Sequence, residues 1–343
     1  MSLERRRILI ETLNIGAQFL KKDVLITGGL GFIGSSLAIK LCELGANVTI
    51  IDSLIPTHGG NINNIREISE RVIVNYSDLR DIEALKGLVR DKDYIFHLAG
   101  QVSHGDSMLN PRNDLEVNCI ATINLLESCR EYNPNARLIY TSTRQVYGEV
   151  SDLPVSESQP VSPIDVNGIN KLSGEYYHLL YHRTYSLKST VLRLTNTYGP
   201  RQQIRSNRQG FVGIFIRQAL QLEEIKIFGD GTQLRDFNYI DDVVDALLLS
   251  SINRDCYGEI FNLGALKKYS IIQFVETIQK ILPSVNYKVV NFPEARKVID
   301  IGDYYGDFSK FHKVTGWNPK VDIETGLKHS LKFFSEHPLE YWK

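Results

Sequence analysis

Gly28, Gly31 and Gly34 stand three residues apart in Thr27-Gly28-Gly29-Leu30-Gly31-Phe32-Ile33-Gly34. An apolar run, Asp23 to Thr27, precedes them, and a stretch with helical spacing, Phe32 to Glu43, follows. A strand, a glycine turn and a helix in that order make an anion site. Gly28 permits the tight turn, Gly31 lets the backbone approach a pyrophosphate, and Gly34 lets the helix pack closely on the strand. The helix N-terminus adds free N–H groups and the positive end of its dipole. The acidic residue that completes such a site is Asp52, at the end of a second apolar run, Asn47 to Ile51. A carboxylate there accepts hydrogen bonds from both ribose hydroxyls of NAD. It disfavours a 2′-phosphate, since two unit charges about 4 Å apart repel by roughly 1 to 4 kcal/mol. NAD is therefore expected rather than NADP. Asp78-Leu79, after the run Val72 to Asn75, places another carboxylate where an adenine amino group could meet it, although Asp also opens helices.

These residues need a frame to hold them. Further strand-like runs occur at Tyr94 to Leu98, Arg137 to Thr141 and Thr190 to Leu194, with helical patterns near Leu115 to Tyr132 and Lys171 to Tyr185. Strands alternating with helices predict an α/β fold, a doubly wound parallel Rossmann sheet. Strands that are apolar throughout fit a sheet covered on both faces. After about Pro200 the pattern loosens, with Gly229, Gly231, Gly258, Gly264 and Gly316 as punctuation. This predicts a smaller mixed α/β C-terminal lobe over the strand ends. Residues 23–200 form the NAD-binding domain, residues 201–343 mainly the substrate lobe, and a segment near 236–262 returns to the main domain, with Asp241 to Ser250 as its helix. Residues 1–22 are an N-terminal extension in which Arg5, Arg6 and Arg7 precede a short amphipathic stretch. It is read as packed on the surface or disordered, since it lacks the long apolar core of a secretory signal.

A net charge of −1 over 343 residues argues against a nucleic-acid partner, which would call for a basic excess. No apolar run is long enough to span a bilayer, so no membrane role is expected. Cys42, Cys119, Cys129 and Cys256 are widely spaced and form no C-x-x-C pair. They predict neither a metal nor a redox site, and suit reduced thiols in the cytoplasm.

Taken in order, TGGLGFIG, DSLIPTHGGNINNI, HLAG (His97 to Gly100), YTSTRQVYG (Tyr140 to Gly148), RLTNTYGPRQ (Arg193 to Gln202), GDGTQLRDFNYIDDV (Gly229 to Val243), FNLG (Phe261 to Gly264) and GWNP (Gly316 to Pro319) resemble one family throughout. It is the extended short-chain dehydrogenase/reductases, in particular their nucleotide-sugar epimerases and dehydratases such as UDP-glucose 4-epimerase. The resemblance runs from about Asp23 to Phe334. It implies a nucleotide-diphosphate sugar as substrate, NAD taking hydride from a sugar carbon, commonly C4, and a base removing the hydroxyl proton. It also implies Phe32, Ile33, Leu98 and Ala99 at the cofactor, Thr143 at the reacting hydroxyl, Asn196 and Arg235 at the substrate, and Arg296 near another phosphate-binding position. A homodimer through the helices after the fourth and fifth strands is implied as well.

One match fails. The family carries Tyr-x-x-x-Lys on a helix, where the lysine holds the nicotinamide ribose and favours phenolate. Lys171 is present, but the tyrosine position is Asn167, and an amide is no base near neutral pH. The base is then His104, whose imidazole titrates in the right range, or Lys171 if burial lowers its pKa, or Thr143 passing the proton to water. Tyr147, Tyr176 and Tyr177 are the nearest tyrosines in sequence, the last two more than a helical turn beyond Lys171. An epimerase or dehydratase is expected. A C4 dehydrogenase releasing a keto-sugar and a non-catalytic binder of NAD and sugar nucleotide are the alternatives.

Overall fold

The computed structural model describes residues 15–55, 58–206 and 210–342, without the side chains of residues 295 and 296. Most of the N-terminal extension, and Asn207 to Gln209, lie outside the described residues. Residues 15–19 are helical, and Phe19 is buried against Tyr94 with ring centroids 4.8 Å apart, so the end of the extension joins the core.

Six strands follow in order: Asp23–Thr27 (β1), Asn47–Ile51 (β2), Val72–Asn75 (β3), Tyr94–His97 (β4), Arg137–Thr143 (β5) and Lys188–Leu194 (β6). Asn196–Tyr198 (β7), Ile225–Phe228 (β8) and Leu234–Tyr239 (β9) belong to the smaller lobe, and Ile260–Asn262 (β10) returns to the main sheet. That sheet has the order β10-β6-β5-β4-β1-β2-β3, every neighbour parallel. The chain winds outward from β1 to β3 and then crosses to β4. The order therefore reverses between β1 and β4, and the crevice outside their carboxyl ends is where a sheet of this kind receives its ligand.

Side-chain alternation explains the two covered faces. Val24 and Ile26, with Phe96 and Ile139, join the core packed by helices Phe32–Glu43 (α1) and Ile240–Ile252. Leu25, Ile95 and Leu138 point into the opposite core, with Leu125, Leu126 and Tyr181. Neither face is polar, so the central strands carry no polar alternation to betray their period.

The helices begin earlier than their apolar spacing predicts. His104–Leu109 (α2) and the short Pro111–Leu115 lead through one π turn, Glu116–Ile120, into Ala121–Tyr132 (α3). Asn110 caps this run by accepting from the amide of Asn113 at 3.2 Å, with Pro111 in the first helical position. Val166–Tyr185 (α4) starts five residues before Lys171 because Asp165 is its N-cap, accepting from Gly168 N at 2.6 Å. Ile240–Ile252 (α5) lies against α1, as expected for the returning segment. The smaller lobe carries a mixed sheet, β9 between β7 and Lys268–Ser270 (β11), and a parallel pair of β8 with Tyr287–Val290 (β12).

Candidate active site

The glycine turn, β2 and the end of β4 enclose one cleft. Gly28, Gly31, Phe32, Ile33, Gly34, Asp52, Asp78, Leu79, Leu98 and Ala99, all expected at the cofactor, line it together. The floor is closed by backbone. Gly28 has φ +69°, and a Cβ there would stand 2.8 Å from Ala99 N and Cα. A Cβ on Gly34 would stand 2.2 Å from Gly28 O. Asp52 accepts from Leu30 N at 3.0 Å and Leu54 N at 2.9 Å. A carboxylate has about four acceptor positions, so about two remain for ribose hydroxyls. Burial pushes its pKa up, against the pull of those two amides. The cleft thus fits a dinucleotide: glycines where a side chain would collide, a helix N-terminus, and a carboxylate at the second strand. Asp78 has a partner inside the protein as well. It lines the cleft, but Arg80 takes its carboxylate through Nε at 3.0 Å and Nη2 at 2.8 Å, which holds its pKa down.

Lys171 lies under this floor rather than on its surface. Its Nζ donates to Thr141 O at 3.2 Å and sits 4.9 Å from the centre of the Tyr140 ring. A Cβ on Gly100, itself a cleft residue, would come within 3.0 Å of that nitrogen. Burial lowers the lysine pKa to about 8, with Asp114 and Glu175 opposing. Thr143 ends β5, and its Oγ1 accepts from Gln145 N at 3.2 Å, which leaves the hydroxyl proton free to donate.

Asn167 is buried in an amide–carboxylate cluster. Its Nδ2 donates to Gln101 O at 2.7 Å and to Asp114 Oδ2 at 3.2 Å, and its backbone N–H to Ser107 Oγ at 3.3 Å. Gln101 and Ser107 bracket His104 in sequence, so Asn167 pins down the segment that carries the histidine. His104 Nδ1 lies 2.9 Å from Asp165 Oδ2, a close contact in which neither atom makes a hydrogen bond among the described residues. Burial alone would raise the Asp165 carboxyl, but the imidazole and the Gly168 amide hold it below its usual range. Tyr147 is no substitute base: its hydroxyl donates to Asn262 Oδ1 at 2.8 Å and accepts from Arg193 Nη1 at 2.7 Å. Tyr176 is exposed.

On the substrate side, Asn196 opens β7 and donates to Asp236 O at 2.9 Å. Arg235, on β9, is buried and paired with Asp300 at 3.3 Å. Arg296 belongs to the short helix Glu294–Lys297, but its side chain lies outside the described residues.

The model of the GDP-mannose 4,6 dehydratase family matches residues 25–330. The chain belongs to the extended short-chain dehydrogenase/reductases, in their nucleotide-sugar epimerase/dehydratase branch. A putative UDP-glucose 4-epimerase of Methanocaldococcus jannaschii is 34% identical over 92% of this chain and 99% of its own. The Thermotoga maritima UDP-glucose 4-epimerase, solved with UDP-glucose, is 34% identical with a TM-score of 0.83, covering 92% of this chain and 99% of that one. The Bacillus cereus UDP-glucuronic acid 4-epimerase, solved with UDP-glucuronic acid and NAD, is 29% identical with a TM-score of 0.82 over 92% and 99%.

Within this short-chain dehydrogenase/reductase frame the sequence reading overlooked two things. The loop after Asp52 supplies Ser53, Ile55, His58, Gly59 and Gly60 to the cleft, and its position directly behind the ribose carboxylate was the available signal. Asp165 was overlooked as well. It is a recognisable N-cap two residues before Asn167, but its contact with His104 joins segments about 60 residues apart, which no local pattern reveals.

Proposed function

We propose that this is an NAD-dependent nucleotide-sugar enzyme of the epimerase/dehydratase type, oxidising a sugar hydroxyl, at C4, with His104 as the proton acceptor. The observation that carries the reading is the cleft lined by ten of the eleven residues expected at the dinucleotide, with the eleventh, Lys171, beneath it and Thr143 at the neighbouring strand end. NAD, when bound, supplies the hydride acceptor. Thr143 donates its hydroxyl proton to the sugar oxygen. Asp165 accepts the Nδ1 proton of His104, so the lone pair sits on Nε2 and can take the hydroxyl proton. Asn167 holds the histidine segment in place. Lys171 keeps a positive charge behind the nicotinamide ribose, and Asn196 and Arg235 stand on the substrate side.

Purified protein should release NAD, and a sugar nucleotide if one is retained, for mass spectrometry. A panel of UDP-, GDP-, CDP- and dTDP-sugars should then show turnover. Protein that neither carries nor takes up NAD(H) sinks the reading. His104→Gln should lower turnover by roughly 10²- to 10⁴-fold with NAD affinity unchanged, and full activity in that variant removes His104 as the base. The commitment of the Asn167 amide to Gln101 and Asp114 favours a second reading, a binder without turnover, in which the panel yields complexes but no product. Net accumulation of NADH would indicate a C4 dehydrogenase.

The protein works as a homodimer in this reading. Ile169, Tyr176 and Leu180 are exposed on one stripe of α4, beside exposed Leu115 and Ile120. No described helix is long and apolar enough to cross a membrane, and the four buried free cysteines support a reducing cytoplasm.

A further inference from the structure

Arg144 follows Thr143 and opens the short turn Arg144–Tyr147, and nothing in the sequence singles it out. The arginine expected to meet substrate phosphate, Arg235, also makes contacts within the protein. Arg235 donates through Nη1 to the carbonyls of Leu234 and Gly302, and through Nη2 to Asp300 Oδ1. Arg144 lies within electrostatic reach of Asp236, Asp300, Asp165, Arg235 and the Tyr304 hydroxyl, without a hydrogen bond or ion pair to any of them among the described residues. Each of those carboxylates already has other donors. Asp236 takes the Thr195 hydroxyl and, at 2.9 Å, the Gly306 amide. Asp300 takes the Gln233 side-chain amide and the Gly302 N–H, both at 2.8 Å, besides Arg235. Asp165 takes Gly168 N and has His104 Nδ1 at 2.9 Å.

Among the described residues the Arg144 guanidinium forms no ion pair, and its Nε is buried without a hydrogen-bond partner. Its guanidinium lies over the Tyr304 ring, 5.8 Å from the centroid. A guanidinium does not lose its proton in proteins, and Arg144 is half-buried, with its Nε out of water and no anion paired to it there. Burial pulls Arg144 below its ordinary pKa, and burial together with Arg144 brings Arg235 down to about 10. A second cation thus stands close by, itself with a buried and unpartnered Nε.

We propose that Arg144 receives an oxyanion of the substrate, either a carboxylate carried by the sugar or a phosphate of the nucleotide. The inference rests on the proposed function, because Thr143 and Asp165 then place Arg144 beside the reacting carbon. The planar fork of arginine suits either anion by paired donors.

The test uses NAD-loaded protein in calorimetric titrations with UDP, dTDP, GDP and CDP, and then with the glucose and glucuronate forms of the diphosphate that binds. Wild type is compared with Arg144→Gln and Arg144→Lys, with melting temperature and NAD affinity as checks on the fold. A sugar carboxylate at Arg144 predicts that Arg144→Gln weakens the glucuronate form alone, by roughly tenfold to a hundredfold, the usual weight of a charge-assisted hydrogen bond. A phosphate at Arg144 predicts a similar loss for the diphosphate and both of its sugars. In both cases Arg144→Lys recovers part of the affinity while melting temperature and NAD binding hold. Unchanged affinity in every arm, or losses that follow a fall in melting temperature and NAD binding in both variants, overturns the inference and leaves the proposed function standing. Wild type that binds none of these ligands overturns both.

Discussion

Lys171 forms no ion pair among the described residues. Its charge is met by one carbonyl and a tyrosine ring, with Asp114 and Glu175 at a distance, and its pKa falls to about 8 from an ordinary 10.5. The folded form of the cofactor-free protein therefore disfavours the lysine proton. Above pH 10.5 neither state holds it. As pH drops from 10.5 to 8 the unfolded chain gains the proton first, so stability falls, and below 8 the loss is complete. Lys171→Met lacks this slope. In urea unfolding, the variant should gain on the wild type by on the order of 3 kcal/mol between pH 10.5 and pH 7, while its NAD affinity drops. Parallel pH curves for the two proteins would show that the lysine does not titrate in that window. The residue type at 171 was legible from its place in Tyr-x-x-x-Lys. Its displaced pKa was not, since that comes from burial, which elements distant in sequence impose against the opposing charges of Asp114 and Glu175.

At the scale of elements, the turn between β1 and α1 shows why three glycines recur where they do. A Cβ on Gly34 would meet Gly28 O at 2.2 Å and Gly29 Cα at 2.7 Å, both backbone atoms, whereas one on Gly31 would meet Gly28 O at 3.2 Å. Gly34→Ala must therefore push α1 away from the turn. We expect it to lower stability by roughly 1 to 3 kcal/mol and to weaken NAD binding more than Gly31→Ala does, as read by thermal melts and NAD titration. Equal effects of the two would place the tight packing elsewhere. The strand–turn–helix was legible to the residue, because its signals are local: an apolar run, glycine spacing, a helical pattern. The start of α4 was missed by five residues, because apolar spacing reports the buried face and the cap at Asp165 lies outside it.

At the scale of the molecule, the winding order brings β4, β5 and the first turn of α4 to the same end of the sheet, and the smaller lobe covers that end through Asp236, Asp300 and Tyr304. On the opposite side of α4 the stripe of Ile169, Tyr176 and Leu180 remains exposed. A stripe of this width suits a second copy of the chain. The double variant Ile169→Glu with Leu180→Glu should sediment as a monomer while still binding NAD, because the stripe faces away from the cleft. A wild-type monomer at all concentrations would remove the dimer.

By itself the amino-acid order determined the Rossmann sheet, the glycine turn and Asp52 that line one cleft, and the asparagine at position 167, because each is written in contiguous residues or in fixed spacings. Only the tertiary structure decided that Asn167 anchors the segment bearing His104, that Asp165 lies beside the imidazole, and that Arg144, unlike Arg235, forms no ion pair among the described residues. Those facts are pairings between side chains brought together by strand order and lobe closure. Burial sets their strength, because a charge removed from water depends on whichever partner the fold places beside it.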